Sequence, residues 1–163
     1  MPNQGESTEQ TPLWTRDFIR IAAVNFFLFL GFQILLPVLP VYAAKLGGGN
    51  TWAGLVVGVY TFSSVLMRPI AGRLLDQKGR KSILLLGLAV FIICTLMYQW
   101  TLVIWMLLVL RFIHGFGWGT ASTGASTIAS DFIPKKRFAE GMGFFGLTGT
   151  LAMALGPAIG LAL

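Results

Sequence analysis

Gly72-Arg73-Leu74-Leu75-Asp76-Gln77-Lys78-Gly79-Arg80-Lys81 is a charged segment set between two long apolar runs. Its charges fall at unfavourable helix ends. Asp76 closes the preceding run, where the helix dipole disfavours an acid, and Arg80 and Lys81 open the next, where it disfavours cations. Each placement costs about 0.3–1 kcal/mol unless a partner compensates. Asp131, at the end of a later apolar run, is a further acid in the same unfavourable position. The pattern points to charges that satisfy one another across helices. Basic retention at a membrane face accounts for Arg73, Lys78 and Lys81, but not for Asp76 or for Gly72 and Gly79.

Outward from this segment the chain is dominated by apolar runs. Five can be drawn, over residues 18–44, 51–75, 82–98, 102–130 and 139–163. A membrane-spanning helix needs about 20 apolar residues, so each run is long enough or nearly so. Of the 163 residues 55% are hydrophobic and 11% charged, and the mean hydropathy is +0.76. A soluble domain of this size hides only about 70% of its surface, and ordinary domains are about 25% charged. These values exclude a disordered chain, and the single cysteine, Cys94, excludes a disulfide scaffold. The fold class is therefore all-α, a polytopic membrane helical bundle of about five spans. Residues 1–14 are polar, carry Glu6 and Glu9, and lack the basic start and apolar core of a signal peptide. They read as a flexible cytoplasmic tail before a transmembrane domain over 15–163.

The net charge of +6 is distributed by topology. Arg16 and Arg20 precede the first run; Arg73, Lys78, Arg80 and Lys81 surround the second connection; Lys135, Lys136 and Arg137 fill the fourth. The first connection holds only Lys45 and the third no basic residue. Alternating basic and neutral connections place the N-terminus in the cytoplasm of a multi-pass cell-membrane protein. They also leave no reason to expect nucleic-acid binding.

Polar and small residues inside the runs carry the remaining information. The first run has Asn25, Phe29, Gln33 and Pro37 at four-residue steps; the second has Gly54, Gly58, Thr61, Arg68 and Gly72 on one face. The fourth has Arg111, Gly115, Gly119, Ser122 and Ser126, and the fifth Ala152, Gly156 and Gly160. Small residues four apart allow close helix packing in lipid, which explains Asn25, Gln33 and Arg111 least well. An arginine in mid-helix costs about 2.5–3.5 kcal/mol, so Arg111 must face a partner or a wet cavity, or snorkel outward. Arg68, near the cytoplasmic connection, can snorkel and receives no transport role. Gly156-Pro157 predicts a bend in the fifth run.

Three stretches resemble the major facilitator superfamily of secondary transporters. Gly72, Asp76, Gly79, Arg80 and Lys81 match its signature between helices two and three, Gly-x-x-x-Asp-Arg/Lys-x-Gly-Arg-Arg/Lys, with Gln77 departing from the usual basic residue. The resemblance implies a cytoplasmic latch, with Asp76 meeting the other half of the transporter and Arg80 meeting an acid below helix four, here Asp131. Arg111-Phe112-Ile113-His114-Gly115-Phe116-Gly117 resembles the motif Arg-x-x-Gln-Gly-x-Gly, whose arginine is linked to proton or substrate coupling. His114 replaces its glutamine, and can either titrate or serve as a hydrogen-bonded core residue. Gly156, Pro157 and Gly160 resemble the fifth-helix motif of drug–proton antiporters, with Ala152 and Leu161 at two of its glycine positions.

The resemblance implies a proton-coupled exporter of small molecules working by alternating access, its substrate unspecified. Asn25, Gln33, Arg111 and His114 are the candidates for the coupling and substrate path. Every acid of the spans, Asp17, Asp76, Asp131 and Glu140, lies at a helix end, so no proton carrier is evident. An intramembrane hydrolase would need paired acids or a nucleophile–histidine set at depth. The only histidine is His114, so no catalytic residue, metal site or cofactor is expected. A five-helix scaffold or oligomeric pore without transport activity is the alternative. Because the family is built from two six-helix halves, the chain reads as an N-terminal fragment whose activity needs a C-terminal half.

Overall fold

The computed structural model describes residues 12–47 and 49–162. Five long helices follow one another: α1 (Arg16–Lys45), α2 (Asn50–Lys78), α3 (Arg80–Met97), α4 (Ile104–Phe132) and α5 (Phe138–Ala162). Short 3-10 turns at Tyr98–Trp100 and Lys135–Arg137 complete the order, and no strand occurs among the described residues. All five helices are long and apolar enough to cross a membrane. The chain is an all-α membrane bundle, as its composition predicts.

Helix ends differ from the sequence reading in informative ways. Helix α2 continues through Asp76 and Gln77 to Lys78, so the expected connection over 76–81 shrinks to Gly79. Gly79 has φ of +90°, a left-handed geometry that only glycine adopts without strain. One residue therefore ends α2 and starts α3. The extension also moves Arg68 inward, to ten residues or about 15 Å from the end of its helix. At the N-terminus, residues 1–11 of the expected tail lie outside the described residues. Leu13, also expected there, is fully buried, and Trp14 packs on Phe144 at 4.9 Å between ring centroids. Thr15 caps α1 by accepting a hydrogen bond from the Phe18 amide at 3.2 Å.

Helix α4 is the most buried element and packs against both α2 and α3, while α1 pairs with α5. Apolar residues such as Leu85, Ile92 and Leu96 of α3 stay exposed on the outside. In lipid this outer surface is solvated, so small residues at the contacts decide the packing. A Cβ at Gly117 would lie 2.8 Å from the Phe91 nitrogen, and one at Gly87 2.6 Å from the Ala121 nitrogen. At Gly119 it would lie 2.5 Å from the Ser64 carbonyl oxygen, and at Gly115 it would run into Ser63 Oγ. The Gly115 and Gly119 contacts fix α2 and α4 in parallel register. Gly54, Gly58 and Gly72, expected to pack likewise, face open space within 4 Å.

Candidate functional site

The helices enclose a cleft of about 320 Å³ between α1, α2, α4 and α5. Asn25 and Phe29 come from α1, Arg68 from α2, Ser122, Thr123 and Ser126 from α4, and Phe145, Thr150 and Met153 from α5. It lies in the half of the bundle nearer the basic connections at Gly79 and Lys135–Arg137. Asn25 donates to Thr148 Oγ1 at 2.9 Å and to the Phe145 carbonyl at 3.4 Å, which ties α1 to α5 at one wall. Ser126 donates to the Thr123 carbonyl at 3.0 Å and Thr123 to the Gly119 carbonyl at 2.7 Å. Those hydroxyls therefore show lone pairs, not protons, to the cleft.

Arg111 does not line this cleft. It is fully buried, and its Nε and both Nη atoms make no hydrogen bond. Its guanidinium carbon sits 4.6 Å from the centroid of the Tyr60 ring and 5.9 Å from that of Tyr98. No carboxylate pairs with it among the described residues. A desolvated cation–π contact contributes about 2 kcal/mol, which offsets most of the roughly 2.5–3.5 kcal/mol insertion cost but answers none of the five N–H donors. His114, one turn on, shares a 2.8 Å hydrogen bond with the Tyr98 hydroxyl through Nδ1, and packs on Phe91 at 4.5 Å. Its Nε2 and the Tyr60 hydroxyl are buried without partners. Donors therefore outnumber acceptors in this pocket, a composition suited to holding negative charge or water.

At the basic end Arg80 and Asp131 form an ion pair that joins the start of α3 to the end of α4. Each is about two-fifths exposed, so the pair contributes about 0–1 kcal/mol. Asp76 is exposed and makes no ion pair among the described residues. Of the four charges expected to satisfy one another, Arg80 and Asp131 do so, and Asp76 and Lys81 make no ion pair among the described residues. Lys81 is exposed, and a Cβ added at Gly72 would meet no atom within 4 Å.

In α5, Gly156 receives the side chain of Gln33 and Gly160 the backbone of Ile34, so a Cβ at either would collide. Pro157 lies between them inside a continuous helix. The α1–α5 contact thus runs through Asn25 with Thr148, Phe29 with Gly149, Gln33 with Gly156 and Ile34 with Gly160. Of the four path candidates, Asn25 alone lines the cleft, Gln33 is buried at the helix contact, and Arg111 and His114 share the aromatic pocket. Sequence reading missed Tyr60 and Tyr98. Scarcity was the one signal that could have found them, because the chain has three tyrosines; the third, Tyr42, donates to the Thr101 carbonyl at 2.5 Å.

A family model described as the Major Facilitator Superfamily matches residues 21–163. The chain is 31% identical over 135 residues to the quinolone resistance protein NorA of Staphylococcus aureus (strain Mu50 / ATCC 700699), covering 83% of this chain and 35% of that protein. It is 32% identical over 134 residues to the class H tetracycline resistance protein of Pasteurella multocida, covering 80% and 33%. It spans about a third of the length of the curated relatives it matches.

Proposed function

Because the chain belongs to the Major Facilitator Superfamily, we propose that it contributes the substrate-binding face of a secondary transporter that exports small amphipathic molecules. One observation carries the reading. The cleft between α1, α2, α4 and α5 brings polar side chains to membrane depth, beside Phe29, Phe145 and Met153. In hydrocarbon such groups are costly unless they are paired or face a ligand or water, and Arg68 and Ser122 make no side-chain hydrogen bond among the described residues. The relatives' names, resistance to quinolones and to tetracycline, support export.

Alternate connections are basic, which supports a cytoplasmic N-terminus and, with it, a cleft in the cytoplasmic half of the bundle. An exporter loads its substrate from that side. The Arg80–Asp131 pair acts as the cytoplasmic tie, Asp76 is left to meet another part of the protein, and Gly156-Pro157-Gly160 fits α5 against α1. Arg111 and His114 serve coupling from the buried pocket, with a proton as the coupling ion. Inverted membrane vesicles containing the transporter that includes this chain together with its C-terminal half, given a fluorescent quinolone and an imposed proton gradient, test this. Uptake that collapses with a protonophore is expected. Uptake indifferent to the gradient removes proton coupling, and no uptake beyond that of empty-vector vesicles removes the transport reading.

A further inference from the structure

We propose that Arg68 and the hydroxyl of Ser122 form a carboxylate-binding subsite, so that the cleft selects amphipathic acids. The proposal rests on the transporter reading above and names the class of substrate.

Depth is the first argument. Arg68 lies ten residues, nearly three turns, from the end of α2, and does not stand with Arg73 and Lys78 at the charged junction. It is exposed to the cleft instead, and makes neither an ion pair nor a hydrogen bond among the described residues. The acids Asp17, Asp76, Asp131 and Glu140 all stand at helix ends. A guanidinium that lines a cleft of the bundle with no acid beside it among the described residues is suited to an anion.

Register is the second argument. The close approach of Gly119 to the Ser64 carbonyl and to Met67 locks α2 on α4. One turn further along the same parallel contact, Arg68 and Ser122 face the same cleft. The neighbouring hydroxyls are committed to their own helices: Thr123 donates to Gly119, Ser126 to Thr123 and Thr150 to Gly146. Ser122 makes no such bond and keeps its proton for a ligand. The guanidinium fork matches a carboxylate in two parallel hydrogen bonds, and the Ser122 hydroxyl supplies a third donor. Phe29, Phe145 and Met153 then cover the apolar remainder, in a volume at the lower end of ordinary ligand sites.

The test is equilibrium dialysis of the protein in neutral phosphatidylcholine nanodiscs against a fluoroquinolone acid and its ethyl ester, which differ at the carboxylate. The acid is expected to bind about tenfold tighter or more. Arg68→Gln is expected to bring the acid down to the ester's affinity and leave the ester unchanged. Arg68→Lys, which keeps the charge but not the fork, falls between. Equal affinity of the native protein for acid and ester overturns the subsite, as does an Arg68→Gln variant that weakens both compounds alike. Loss of the acid preference on adding phosphatidylglycerol assigns Arg68 to a lipid phosphate and also overturns it. Binding of neither compound overturns the transporter reading along with the subsite, whereas equal binding of both overturns the subsite alone.

Discussion

Arg111 and Gly115 lie one turn apart on α4 and answer opposite questions. Arg111 carries five N–H donors into a pocket with two tyrosine rings and no carboxylate. Replacing an unsatisfied buried charge by an apolar side chain of similar shape is often neutral or stabilising. Arg111→Met is therefore expected to hold or raise the unfolding midpoint in mixed micelles while abolishing any flux that the proposed transport role supplies. A fall in both would make the arginine a packing residue. Gly115 has no space for a methyl group, since a Cβ there meets Ser63 and the Tyr60 carbonyl. Gly115→Ala is expected to cost about 1–3 kcal/mol as overpacking. Gly58→Ala, on an open face, is expected to change stability by less than about 1 kcal/mol and in the stabilising direction, because alanine is the better helix former. Equal losses at the two sites would contradict the contact geometry.

Among the elements, the α2–α3 junction is the most constrained. Gly79 joins two long helices alone, at φ +90°. Gly79→Ala is expected to cost about 1–3 kcal/mol through backbone strain, with no steric contribution because nothing lies within 4 Å. The adjacent Arg80–Asp131 pair is half in water, so its loss does little to stability. Arg80→Asp and Asp131→Arg are each expected to lower flux with normal membrane insertion, and the double exchange to recover it. Failure of the exchange to recover flux would separate the residues' roles, and unimpaired flux in both single variants would favour a scaffold over a transporter. The five helices and the charged junction were legible in the sequence because apolar length and misplaced charge are local properties. The end of α2 was not, because Asp76, Gln77 and Lys78 are polar and composition alone cannot separate a polar last turn from a loop. For the same reason Arg68 read as a surface residue. Likewise, no spacing rule shows that Arg111 turns toward Tyr60 while Asn25 turns toward Thr148, since both choices depend on which helices become neighbours.

Across the whole molecule, α4 with α2 and α3 forms one packed group and α1 with α5 another, and the cleft lies along their border. Orientation is open to direct test. Single cysteines in a Cys94→Ser background, at Lys135 and at Gly47, are expected to react with an impermeant maleimide from opposite sides of the membrane, Lys135 from the cytoplasm. Labelling of both from one side would refute the five-span topology. The Asn25–Thr148 contact bridges 123 positions of chain, with α2, α3 and α4 between its two ends. Synthesis at about 5–20 residues per second would separate the appearance of the two partners by roughly 6–25 s. For that interval the Asn25 amide has no Thr148 to meet, so α1 completes its contact with α5 only after α2, α3 and α4 have been made.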